Sequence, residues 1–127
     1  MANYTYMNPD ELVGLLDRPD SFSKLAVVDC RDSDRSCGFI ANSISAPTVS
    51  YTAEMYASLA KTLFDEKKEI VVFHCAQSLI RGPKGANRFA QAQRELGYLL
   101  PAVYVLRGGW EAFHHIYGRT RPDLMYV

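Results

Sequence analysis

The chain has no charge to spare. Its 14 lysines and arginines are matched by 14 aspartates and glutamates. Without a cationic surplus, neither nucleic acid nor an anionic membrane is expected as a partner. No apolar run approaches the ~20 residues of a membrane-spanning helix. Cysteine is scarce as well. The three present (Cys30, Cys37 and Cys75) are odd in number and dispersed, which argues against a disulfide framework and fits a reducing compartment. There is no Cys-x-x-Cys pair, and His114–His115 stands without a further ligand nearby. No metal and no other cofactor is therefore expected. The opening Met1–Tyr4 has no basic region and no apolar segment, so no secretory leader is expected and the cytoplasm is the expected setting. Repeats, low-complexity tracts and linkers are all missing.

What remains is ordinary globular material for one domain. The length is 127 residues, and 48% hydrophobic content can fill a core of that size. Asn8-Pro9-Asp10-Glu11 reads as a helix start, with Asn as N-cap, Pro at the first position and acids in the first turn. Leu25–Cys30 and Glu69–His74 read as buried strands, as does Ala102–Leu106; Ile44–Ala46 reads as a short one. Helices are expected over Tyr51–Phe64, with Met55, Leu59 and Leu63 inward, and over Lys84–Leu96, with Phe89 and Leu96 inward and Gly97 as the stop. A short helix follows over Trp110–Tyr117. Strands alternating with helices imply right-handed crossovers and a largely parallel sheet.

One segment carries chemistry. The strand ending at His74 leads into Cys75-Ala76-Gln77-Ser78-Leu79-Ile80-Arg81-Gly82-Pro83, and a helix begins at once. A loop between a strand and a helix N-terminus gathers backbone N–H groups into a concavity, and the helix dipole adds to its affinity for negative charge. Such a field favours thiolate, the reactive form of cysteine. It also holds a tetrahedral oxyanion against the sulfur. Arg81 adds a planar, permanently charged fork. Cys75 is the candidate nucleophile. Residues Ala76, Gln77, Ser78, Leu79, Ile80, Arg81 and Gly82 form the candidate oxyanion loop.

Three stretches then resemble one superfamily. Val27-Val28-Asp29-Cys30-Arg31 with Gly38-Phe39-Ile40 and Ser43 is similar to the first rhodanese-homology motif. His74-Cys75 through Arg81 resembles its active-site loop, and Leu106-Arg107-Gly108-Gly109-Trp110 its last motif. The chain is identified as a single-domain rhodanese-fold protein. It most resembles the small fungal and plant members grouped with the cell-division-cycle dual-specificity phosphatases and the eukaryotic arsenate reductases. The resemblance implies an α/β fold over residues 1–127: one rhodanese-like domain with a central, mainly parallel five-stranded sheet flanked by helices. It also implies a cytoplasmic and nuclear setting.

The same resemblance implies a reaction. Sulfurtransferases of this fold hold four residues between cysteine and the arginine position, whereas five intervene here, the form found in phosphatases and arsenate reductases. The leading expectation is a cysteine-dependent phosphatase that hydrolyses phosphate monoesters, with a phosphoprotein among its substrates, through a cysteinyl-phosphate. Glutathione-coupled arsenate reduction is the alternative. A non-catalytic phospho-binding module and a sulfurtransferase stand behind both. The resemblance further implies that Cys30 can form a protective disulfide with the nucleophile. The glutamates that cell-cycle phosphatases carry within the loop are replaced by Ala76 and Ile80, and no general acid is evident beyond Asp32 and Asp34, which qualify by position alone. Asp29, Arg31 and His74 are read as structural, and Ser78 as a donor to the thiolate or an oxyanion oxygen. The sequence does not indicate an oligomeric state.

Overall fold

The computed structural model describes residues 3–127. Met1 and Ala2, which head the segment read for a leader, lie outside it. The elements in order are β1 (Thr5–Met7), α1 (Pro9–Leu16), α2 (Pro19–Phe22), β2 (Leu25–Asp29), a 3-10 turn (Ser33–Cys37), β3 (Phe39–Ile40), β4 (Ile44–Ser45), α3 (Ala53–Asp65), β5 (Ile70–His74), α4 (Arg81–Leu96), β6 (Ala102–Leu106), α5 (Gly109–Tyr117), a second 3-10 turn (Pro122–Leu124) and β7 (Met125–Tyr126).

Five strands form one parallel sheet in the order β1-β6-β5-β2-β4. The expected five-stranded α/β architecture is therefore present. Its fifth strand, β1, is three residues long and carries no apolar run, so the sequence pattern did not mark it. β3 and β7 pair antiparallel outside the main sheet. Among the described residues no helix is long and apolar enough to cross a membrane.

The period-two alternation of the strands divides the core. Ala26, Val28, Val71, Phe73 and Val105 face α3 and α4, where they meet Tyr56, Leu59, Leu63 and Phe89. Leu25, Val27, Val72 and Leu106 face the other way, onto Leu12, Val13, Trp110 and Phe113. In the β2–β5 register Val28 lies beside Phe73 and Asp29 beside His74. The two strands thus end level, and Cys30 and Cys75, each the next residue, join the core on the α3/α4 face.

Two helix faces differ from expectation. Met55 is 46% exposed, and the buried stripe of α3 is Tyr56, Leu59, Ala60 and Leu63. Met55 sits in the first turn after Thr52, whose hydroxyl accepts its N–H at 3.2 Å. Leu96 is also exposed. The last buried position of α4 is Gln93, whose amide donates to the Pro101 carbonyl at 2.8 Å. Gly97 ends that helix in the left-handed conformation, at φ +76°.

Candidate active site

The chain leaves the buried strand β5 at Cys75 and enters α4 at Arg81, three residues earlier than the pattern suggests. Gly82 makes this close join. A Cβ there would lie 3.1 Å from the His74 Cα and 3.2 Å from the Cys75 nitrogen. The helix N-terminus is therefore set directly on the strand end, where its dipole acts on the loop.

A second helix braces the loop from behind. The N–H groups of Trp110 and Glu111 donate to the carbonyls of Cys75 and Ala76, each at 2.9 Å. Gly109 permits that approach. Its φ is +62°, and a Cβ would fall 2.5 Å from the Cys75 carbonyl oxygen. Thr48 ties down the far end by donating its hydroxyl to the Arg81 carbonyl at 2.9 Å. Among the described residues, no N–H from Ala76 to Ile80 donates to another backbone group. The loop thus offers a run of unused donors around a shallow pocket of about 180 Å³ lined by Cys75, Ala76, Gln77, Leu79, Ile80 and Arg81. Backbone donors in such a nest suit a tetrahedral anion.

Ser78 sits at φ +58° and is buried. Its hydroxyl has no partner among the described residues. Gln77 donates to Glu111 at 3.2 Å. Leu79 and Ile80 are exposed at the mouth. Cys75 itself is 4% exposed.

Arg81 is already engaged. Its Nη1 lies 3.1 Å from Asp32 Oδ1 and 3.0 Å from Asp34 Oδ1, and its Nη2 lies 2.8 Å from Asp34 Oδ2. The guanidinium holds the Asp34 carboxyl down at about 2. Asp32 and Asp34 were the sequence's candidate proton donors. The structure makes them partners of the arginine instead, and Asp34 has no proton to give at neutral pH. The edge of Arg81 carrying Nε stays free of partners among the described residues.

Behind the loop lies a buried polar cluster. Asp29 accepts from Arg31 Nε at 3.0 Å and Nη2 at 2.8 Å, and Arg35 Nε lies 3.3 Å away. Arg31 also donates to the Gly38 carbonyl at 2.7 Å and lies 5.0 Å from the centre of the Trp110 ring. Burial opposes the charge on Asp29, but the hydrogen bonds from Arg31 and the nearby positive charge together outweigh it and hold the carboxyl below its ordinary value. His74 is fully buried and pushed down by that burial. It is neutral, with Nδ1 3.1 Å from the Cys75 carbonyl. The structural roles expected for Asp29, Arg31 and His74 are what these contacts describe.

Cys30 sits against α4, where a Cβ on Gly85 would lie 2.7 Å from its sulfur. Burial, with a smaller contribution from Cys75, pushes its thiol up to about 12. Cys30, Cys37 and Cys75 are all free thiols, and only Cys37 is exposed.

A strand-end cysteine, a donor-lined loop and an arginine on the first turn of the next helix define the kind of site. The rhodanese-like domain family matches residues 8–116. This chain belongs to the rhodanese-like domain family. It is 75% identical to the As-Sb reductase from Leishmania major, with 98% of this chain and 86% of that one covered and a TM-score of 0.97. It is 29% identical to the dual specificity phosphatase ibp1 of Schizosaccharomyces pombe over 99% of each. To the dual specificity phosphatase Cdc25 of Arabidopsis thaliana it is 32% identical, over 85% of this chain and 73% of that one. These three relatives are named as two phosphatases and a reductase.

Sequence reasoning missed three supports of the site: Thr48, Gly85 and the N-terminus of α5. Gly108-Gly109 offered the one visible signal for the last, because paired glycines mark close backbone approach as well as a turn.

Proposed function

We propose that this chain reduces pentavalent arsenic and antimony oxyanions with a low-molecular-mass thiol as electron donor. The observation that carries this reading is its 75% identity, over 98% of its length, to the As-Sb reductase of Leishmania major. Chemistry supports it too. The Cys75 thiolate attacks arsenic, a sulfur–arsenic bond forms, and one arsenic–oxygen bond breaks. The departing hydroxide leaves as water with a proton borne by arsenate itself. A thiol then attacks the Cys75 sulfur. A disulfide forms, and the sulfur–arsenic electron pair stays on arsenic, which becomes trivalent. A second thiol frees Cys75 as the mixed disulfide becomes the donor disulfide. The loop amides and Arg81 hold the non-reacting oxygens. No step needs an acid from Asp32 or Asp34.

A second reading is hydrolysis of phosphate monoesters in the same nest, favoured by the end-to-end match to ibp1. Without a carboxylic acid poised over the leaving group, it suits aryl phosphates, whose leaving groups depart unprotonated.

The test runs both reactions on one preparation. With arsenate and glutathione, trivalent arsenic and oxidised glutathione should appear in equal amounts. Cys75→Ser should remove that activity by roughly a thousandfold or more while leaving the circular dichroism unchanged. Aryl phosphate hydrolysis with no trivalent arsenic above the thiol-only control would overturn the reductase reading in favour of the phosphatase.

A further inference from the structure

The ion pairs around the pocket bear on which oxyanion enters it. Clustered cations strengthen the hold on a doubly charged phosphate group. Here the cations are matched. Arg31 and Arg35 are bound to Asp29. Arg81 is bound to both Asp32 and Asp34. Glu111 adds a further negative charge through its bond to Gln77 in the loop. Three arginines thus face four acids. Lys84, exposed in the first turn of α4, does not line the pocket. With no net positive charge to draw it in, an anion is held by the loop amides, the helix end and the free Nε edge of Arg81.

We infer that Asp32 and Asp34 set the charge class of the substrate, so that the nest takes singly charged oxyanions in preference to doubly charged ones. The inference deepens the reductase reading and rests on it. Pentavalent antimony is a monoanion in neutral water, and arsenate is in part. Phosphate monoesters carry close to two charges there, because their second proton leaves near pH ~6. The two aspartates therefore favour the reductase substrates over the phosphatase ones on charge.

A charge filter has a signature that other roles lack. Coulomb energy is proportional to ligand charge, so removing one negative charge from the rim helps a dianion twice as much, in free energy, as a monoanion of the same shape. If Asp34 were only a plug that the oxyanion displaces, its removal would help both anions equally. If it served only to orient Arg81, removal would weaken both.

Tungstate and perrhenate are tetrahedral, nearly equal in size, and carry two charges and one. Their dissociation constants are measured by calorimetry at neutral pH on the reduced protein. Perrhenate should bind the parent at least as tightly as tungstate. Asp34→Asn should tighten perrhenate about threefold and tungstate about tenfold, and the difference should shrink at high salt. Asp32→Asn, which loses a single contact to Arg81, should shift the two in the same proportion and serves if Asp34→Asn melts early. Equal gains, or losses for both anions, overturn the filter. If neither anion binds the parent, the oxyanion nest itself falls and both readings fall with it. If the anions behave as stated but no trivalent arsenic forms, the filter stands and the reductase reading fails alone.

Discussion

Asp34 grips both terminal amino groups of Arg81, at 3.0 and 2.8 Å. The arginine therefore meets a ligand with the edge that carries Nε, while its end is occupied. Both side chains are partly exposed, so the pair adds little to stability. Its effect is on direction and local charge.

That geometry sets the expectation for Arg81→Lys. Lysine keeps the charge but has a single ammonium, which cannot bind Asp34 with one edge and an oxyanion with another. Activity should fall about a hundredfold, close to the loss in Arg81→Ala. Steady-state kinetics on all three proteins checks this, and near-parental activity in the lysine variant would show that charge alone suffices.

Gly109→Ala should loosen the loop. The added methyl would meet the Cys75 carbonyl, at a φ that disfavours a side chain. A loss of about 2 kcal/mol or more is expected in denaturant unfolding, together with a large drop in activity. Gly97→Ala is the control. It shares a positive φ, but nothing lies within 4 Å of its Cβ. That variant should lose about 1 kcal/mol and keep its activity.

His74 gives stability a defined pH dependence. Its pKa is depressed in the folded protein, so the unfolded chain binds the proton more readily. The contribution is complete above the ordinary value of 6.5 and is lost as pH falls below it. The depressed carboxylates Asp29 and Asp34 act in the same direction but only below their ordinary value of 3.8. Melting temperature should therefore decline between those two values, and His74→Gln should flatten that decline. An unchanged slope in the variant would assign it elsewhere.

The sulfur of Cys30 is expected to capture oxidised Cys75 slowly at neutral pH. Capture needs the Cys30 thiolate, and burial holds that thiol protonated, at about 12. Disulfide formation after mild peroxide should accelerate about tenfold per pH unit as the solution is made alkaline. Mass spectrometry of peptides linking Cys30 to Cys75 measures the rate. A rate independent of pH, or no linked peptide at any pH, would remove Cys30 as the resolving thiol.

The layout of this site was legible because it is contiguous. Cys75, the loop and Arg81 lie within one strand-to-helix turn, and the apolar runs on either side fix their place at the sheet's rim. The partners of Arg81 were not. Asp32 and Asp34 are 49 and 47 positions away in sequence, and an aspartate near an active site reads equally well as an acid, an ion-pair partner or a solvated charge. Burial decides between such readings, and burial is a property of the assembled fold. The same holds for Met55 and Leu96. Each fits an apolar stripe by spacing, yet one lies in a capped first turn and the other beyond the last buried position of its helix.

The brace from Trp110 and Glu111 onto Cys75 and Ala76 also has a temporal meaning. The nucleophile is made before the segment that shapes its surroundings, since α5 comes after α4 and β6 in the chain. A nascent chain, or one cut before α5, carries Cys75 without the backing that turns the loop into an anion cradle. The reactive centre is complete only once α5 has packed behind the loop.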